Sequence, residues 1–218
     1  MKQWKWAAVA LGCAVILAGC GGASDGASTT PKSVAPSAKV FGDSIMDSGT
    51  FGYKFTIQSA DAANPFLIFP EIVAANFGAG NLCAFFRFNG TTFLPNTSCT
   101  SYAVGGGRVN NLTNSSAPSA TVPFSIPYQM QVGSATLQST DIVIVDGGGN
   151  DMADLVGGYL GASTPAGVAS FMSQLGTVLP AATVAGIVGA TPTATSLGTA
   201  AGAYAQTLGT TQANNIKT

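Results

Sequence analysis

The chain of 218 residues is long enough for one domain with a sizeable core. Only 8% of its residues are charged, eight Lys and Arg against nine Asp and Glu, with no basic run or stripe. That excludes a nucleic-acid binder, which needs cations clustered at phosphate spacing, while the abundance of Gly, Ala, Ser and Thr suits a secreted or cell-envelope protein.

The N-terminus reads as an address rather than as part of a fold. Lys2 and Lys5 precede an apolar run, Ala7 to Ala18, which is too short to span a bilayer as a helix. Residues 1–19 are therefore expected to be a signal peptide. The run ends in Leu17-Ala18-Gly19-Cys20, which resembles the lipobox of bacterial lipoproteins. The resemblance implies that Cys20 becomes the acylated first residue. Gly21 carries no retention signal of the Asp type, which points to the outer membrane of a bacterial cell envelope. Residues 20–37 then form a lipidated cysteine and a flexible tether, too poor in apolar residues to order themselves.

The four cysteines sort on this reading. Cys13 leaves with the signal and Cys20 takes the lipid, so Cys83 and Cys99 remain as an even pair in an oxidising compartment. A disulfide between them is expected. Closing a loop of about 15 residues is worth on the order of 3 kcal/mol in the chain-entropy account.

The domain proper is read as residues 38–218. Ala38 to Gly42 is the first strand, ending in Gly42-Asp43-Ser44. Phe66 to Phe77 has apolar residues at helical spacing, with Glu71 near its start and Gly78 as its C-cap. Residues 79–99, with Phe85, Phe86, Phe88 and Phe93 among Asn, Gly and Thr, read as an irregular or hairpin excursion pinned by the disulfide. Ser101-Tyr102-Ala103-Val104 is a further strand that runs into Gly105-Gly106-Gly107, and residues 109–120 read as loop. A short helix is predicted around Ile126 to Val132, with Pro127 in its first turn.

Asp141 to Asp146 is the clearest strand, and its β-branched run predicts a central strand buried on both faces. Gly147-Gly148-Gly149-Asn150-Asp151 follows it, then a helix over Met152 to Leu160. Ser163-Thr164-Pro165 opens another helix, to about Leu179, and Ser196 to Ile216 is helical by spacing. Strands alternating with helices imply a parallel sheet with helices on its faces.

Three glycine-containing turns thus follow three strands, and parallel strands would put all three at one edge of the sheet, where ligands bind. Acyl transfer needs that arrangement. A nucleophile must face a carbonyl while fixed N–H donors wait for the oxyanion, each worth about 2.7–4 kcal/mol. Each glycine run taken alone is more often a tight turn. Neither carries the Gly-x-x-x-x-Gly-Lys-Ser/Thr pattern of a phosphate cradle. Asp43 reads as a hydrogen-bonding brace of its turn, and Asp47 and Asp151 as local caps. The aromatic cluster at 85–93 is either an acyl pocket or, more commonly, core. With no histidine and no free cysteine pair, no zinc or transition-metal site is expected, and no cofactor.

Three blocks together resemble the GDSL (SGNH) family of esterases and lipases. Phe41-Gly42-Asp43-Ser44 through Gly49 looks like the first block, which makes Ser44 the nucleophile. Ser101 through Gly107 looks like the second, in which Ser101 stands where the family usually has Asn. Gly106 would lend its N–H to the oxyanion, or Gly105 if the alignment slips by one. Gly148-Gly149-Asn150-Asp151 matches the third block and gives Asn150 the oxyanion amide, with the Ser44 N–H as a further donor. The resemblance covers residues 38 to about 160. It implies a flavodoxin-like three-layer α/β/α sandwich with a parallel sheet, and a hydrolase of small-molecule or lipid carboxylic esters working through an acyl-enzyme.

One block is missing. The family's final Asp-x-x-His has no counterpart, because the 218 residues contain no histidine. Lys54 and Lys217 stand in no substitute motif. The expectation is an incomplete domain, the N-terminal part of a longer enzyme, nearly inactive by itself. The rivals are a non-catalytic envelope lipoprotein that binds a ligand on an esterase scaffold, and an acyltransferase or carbohydrate deacetylase on the same frame.

Overall fold

The computed structural model describes residues 34–61, 65–110 and 123–217. The expected signal peptide, the acylation site at Cys20 and most of the tether and of the 109–120 loop lie outside the described residues. Among the described residues, no helix is long and apolar enough to cross a membrane.

The fold is mixed α/β. Strand β1 (Ala38–Phe41) is followed by helix α1 (Phe69–Asn76), then by the antiparallel pair β2 (Phe86–Phe88) and β3 (Phe93–Pro95). Helix α2 (Ile126–Ser134) leads to strand β4 (Ile142–Val145), and four helices close the described chain: α3 (Gly149–Gly161), α4 (Pro165–Leu175), α5 (Ala181–Val188) and α6 (Ala194–Lys217).

β1 and β4 pair in parallel, with Ala38 opposite Ile142 and Phe41 opposite Val145. On the other edge of β1 the pairing continues without forming a regular strand. Val40 N donates to Thr100 O at 3.1 Å, Tyr102 N to Val40 O at 2.7 Å and Val104 N to Gly42 O at 3.1 Å. Beyond it, Ser101 N reaches Cys83 O and Phe85 N reaches Ser101 O. The disulfide between Cys83 and Cys99 is formed, spanning 16 positions of chain beside this ladder.

The alternation of side chains along parallel strands sorts the core into two faces. Ala38, Val40, Ile142 and Ile144 meet Val73 and Ala74 of α1, so that helix covers one side. Phe41, Tyr102 and Val104 meet Tyr128, Met130 and Val132 of α2 on the other. Phe41 stacks on Tyr102 with centroids 5.3 Å apart, and Gly133 of α2 lies so close to the Phe41 ring that a Cβ there would overlap it. A separate core joins α3 to α6, with Leu155, Phe171, Leu175, Leu197 and Tyr204 packed on Val109 and Ile126. Truncating the fully buried Phe171 to Ala is expected to cost about 3–5 kcal/mol.

Four features differ from the sequence reading. The regular parallel sheet has only two strands, because 100–104 pairs through isolated bridges on its way into three glycines. β4 is an edge strand, with Val143 43% exposed, rather than a strand buried on both faces. Among the described residues nothing pairs with its far side, since the Ala-, Gly- and Thr-rich stretch 149–217 supplies only helices, including α5, which the spacing did not mark. The helix opened by Thr164, whose side chain accepts from Gly167 N at 3.1 Å, ends at Leu175 rather than near Leu179.

Candidate functional site

Ser44 sits on the turn that leaves β1, half-buried, with the turn closed by Met46 N donating to Asp43 O at 3.1 Å. Gly42 makes the turn possible. Its φ is +149°, and a Cβ there would lie 2.9 Å from Asp146 O, so a side chain would push β1 and β4 apart. The Gly42 peptide is held from the α2 side. Its N–H donates to Gln129 Oε1 at 2.8 Å, and Gln129 Nε2 donates to Gly42 O at 3.0 Å and to Pro123 O at 2.7 Å. Gln129 is wholly buried, and nothing in the sequence reading singled it out. The one available signal was a glutamine on the inward face of α2, in line with Ile126 and Gly133.

Asp43 braces its own turn, as expected, accepting Ile45 N at 3.0 Å through Oδ1. Burial pushes its carboxyl above the ordinary range, and the nearby Asp146 and Asp151 add to that push against the Ile45 hydrogen bond. Asp47 is also wholly buried. It accepts Gly49 N and Thr50 N locally, and Gly105 N at 2.8 Å through its other oxygen. Burial raises its pKa as well, and the backbone donors work the other way.

The Asp47 bond distinguishes the N–H groups of the two glycines of the second turn. Gly105 N–H is already committed to Asp47. Gly107 N donates to Val104 O at 2.9 Å to close a β-turn, in which Gly106 takes a φ of +85° open to glycine and strained for other residues. Arg108 Nη1 holds the Gly106 carbonyl at 2.7 Å. Among the described residues, neither Gly106 N–H nor Ser44 N–H meets an acceptor. The aromatic ring of Phe55 lies against Gly105, which has no side chain to keep it off.

Asn150, in the first turn of α3, links the turns. Its Nδ2 donates to Gly107 O at 2.9 Å and reaches Asp43 Oδ2 at 3.4 Å, the second contact being at the long limit for a hydrogen bond. The neighbouring Asp151, in the first turn of α3, does more than serve its own helix start. Its carboxylate accepts Val109 N at 2.9 Å and Asn110 N at 2.7 Å, more than forty positions earlier in the chain. Burial raises its pKa, opposed by these two donors. Arg108 reaches α3 as well, through Nε to Asp154 Oδ2 at 2.6 Å and Nη2 to Asp154 Oδ1 at 3.1 Å.

The turns at Ser44, Gly106 and Asn150 are thus stitched into one cluster at the carboxyl ends of β1 and β4. The cluster offers a half-buried hydroxyl, two unclaimed backbone donors and one side-chain amide. No imidazole is available, and among the described residues no hydrogen bond joins the Ser44 hydroxyl to a carboxylate or an amine. Lys54, which the sequence left isolated, is paired with Glu71 at 2.7 Å. Among the described residues no group of three or more His, Cys, Asp or Glu could hold a metal ion. The largely apolar groove of about 440 Å³ lined by Phe41, Met130, Leu137, Val143 and Ile216 opens at the free edge of β4, and Ser44 is not part of its lining. Compared with family models, curated proteins and solved structures, the chain matches none.

Proposed function

We propose that this chain carries the acyl-binding half of a serine ester hydrolase of the GDSL (SGNH) type. The observation that carries the reading is the conjunction of Ser44 with two backbone N–H groups that meet no acceptor, those of Ser44 and Gly106, and with the Asn150 amide in the same cluster. Ser44 Oγ attacks the ester carbonyl as its proton passes to the base. The N–H groups of Ser44 and Gly106, with the Asn150 N–H that makes only the long contact to Asp43 Oδ2, take the oxyanion, and the alcohol leaves with that proton. The general base and its carboxylate partner come from outside these 218 residues, since the chain has no histidine. In this reading the free edge of β4 is where further strands complete a flavodoxin-like sheet, and Cys20 carries a lipid that holds the enzyme at the bacterial envelope.

The test is p-nitrophenyl ester hydrolysis, with mass spectrometry of the Ser44 peptide to detect the acyl group. Oxyanion donors without a base should leave roughly 10³–10⁴-fold acceleration over water. Ser44→Ala should abolish it, and Asn150→Ala should lower it by about 10²–10³. Equal hydrolysis by wild type and Ser44→Ala, with no acylated Ser44, would sink the proposal. The missing histidine favours a second reading, a binding module for an acylated ligand, and saturable ester binding without any acylation would select it. Sugar or alcohol acceptors that consume the acyl group faster than water would instead mark a transferase.

A further inference from the structure

We infer that the outer face of α1 and the segment packed beside it rest on the surface of a phospholipid bilayer. A surface helix ordinarily turns charged or polar residues outward. α1 does not. Its inner side packs Val73 and Ala74 on the sheet, while Phe69 and Ile72 point outward. Tyr53, Phe55, Phe66, Leu67, Phe69 and Ile72 are each between 41% and 56% exposed.

These residues belong to one surface. Lys54 Nζ donates to Phe66 O at 2.9 Å and pairs with Glu71 at 2.7 Å, while Glu71 also accepts Ile68 N at 2.8 Å. The Tyr53 and Phe55 rings, which flank Lys54 in the chain, lie 5.0 Å apart. Lys54 is the sole cation between positions 45 and 77, and it is neutralised by its ion pair beneath the apolar side chains. A lipid surface met by such a face is held by apolar burial, not by attraction to anionic headgroups.

The start of the described chain lies at the end of α1. Val34 lies against Gly78, just past the end of α1, and Ala35 N donates to Phe77 O at 3.0 Å. The inference rests on the lipid-anchor reading for one quantity, the thirteen tether residues 21–33 between Cys20 and Val34. On that reading the chain from a lipid on Cys20 enters the domain at Val34, beside the end of α1 and not beside α2.

The test places an environment-sensitive fluorophore on Ile72→Cys or, on α2, on Gln131→Cys. Cys13→Ala is included throughout, and Cys83 and Cys99 are joined, so the introduced thiol is the free one in the acylated chain. The protein is reconstituted in phosphatidylcholine vesicles containing a doxyl-labelled quencher lipid. The label at 72 should be quenched about tenfold more than the label at 131, and salt at about 1 M should leave the difference intact. Equal quenching at the two positions, or none at 72, overturns the inference. Palmitate incorporation, lost in Cys20→Ala, reads the anchor separately. An acylated chain with an unquenched label at 72 keeps the anchor and overturns the docking face. Quenching at 72 in the Cys20→Ala chain supports the face without the anchor.

Discussion

Gln129 and Gly42 bond to each other in both directions. The side-chain amide accepts from Gly42 N at 2.8 Å and donates to Gly42 O at 3.0 Å, so it acts as a strand partner where the backbone ladder has ended. The turn carrying Ser44 is thereby set by a helix 87 positions away. Gln129→Leu keeps the volume and removes three hydrogen bonds, leaving Gly42 N and Pro123 O buried without a partner. The expected loss is about 2–4 kcal/mol, on the order of 5–10 °C in Tm for a domain of this size. Gln129→Glu should be as damaging, because a carboxylate has no N–H to give to the two carbonyls. Thermal and urea unfolding of the two variants checks this, and a loss below about 1 kcal/mol would mean that the turn holds its shape without the glutamine.

The parts of this fold that were legible in the sequence are those in which one residue type does one local thing. Val40 and Phe41 before Gly42 announced a strand and its turn, Thr164-Pro165 announced a helix start, and the 141–146 run announced a strand. The burial of that last strand was not legible, because β-branched residues suit an edge as well as a centre and the difference lies in what the later chain does. Asp151 reads locally as a helix cap, yet it binds Val109 and Asn110. Gln129 has no sequence signature, since its partners are backbone atoms brought to it by folding. The block resemblance already named Gly106 ahead of Gly105, but the commitment of the Gly105 N–H to Asp47 had no sequence signature.

Stability should rise as the pH falls from neutral. Asp43, Asp47 and Asp151 all have folded pKa values raised above the ordinary 3.8, with burial the leading cause in each. The folded state then holds protons more tightly than the unfolded chain. Between the raised folded values and 3.8 it binds more protons, so the unfolding free energy falls as pH increases through that window. Asp43→Asn preserves the oxygen that accepts Ile45 N and removes one of the charges facing Asp146 and Asp151. Its stability should change less than the wild type's between about pH 7 and pH 4. Urea midpoints across that range decide it, and a wild type that weakens steadily on acidification contradicts the prediction.

The disulfide ties the aromatic hairpin to the sheet. Cys83 O accepts Ser101 N, so the Cys83–Cys99 bond closes its loop beside the ladder that runs along β1. Replacing both cysteines by Ala should lower stability by about 3 kcal/mol. Amide exchange should then quicken in β2 and β3 more than in α4 or α6, whose core is separate. Uniform acceleration across all the helices would instead mean that the bond supports the whole domain.

Arg108 holds the Gly106 loop between two elements, with Nη1 on the Gly106 carbonyl and Nε and Nη2 on Asp154 of α3. The fork needs guanidinium geometry, so Arg108→Lys should keep the charge and lose the grip. Both side chains are partly exposed, 23% and 32%, so their coupling in a double-mutant cycle with Asp154→Ala should be only about 0.5–1 kcal/mol. The larger effect falls on the loop. Releasing the Gly106 carbonyl frees the 106–107 peptide and loosens the turn that fixes Gly106, so on the proposed reading Ser44 acylation should drop while global stability barely moves. Gly106→Ala separates the two contributions from the other direction. It leaves Arg108 in place and strains the backbone at φ +85°, at a cost of about 1–2 kcal/mol. If Arg108→Lys lowers stability as much as Gly106→Ala while leaving acylation untouched, Arg108 is a structural tie and the Gly106 N–H takes no part at Ser44.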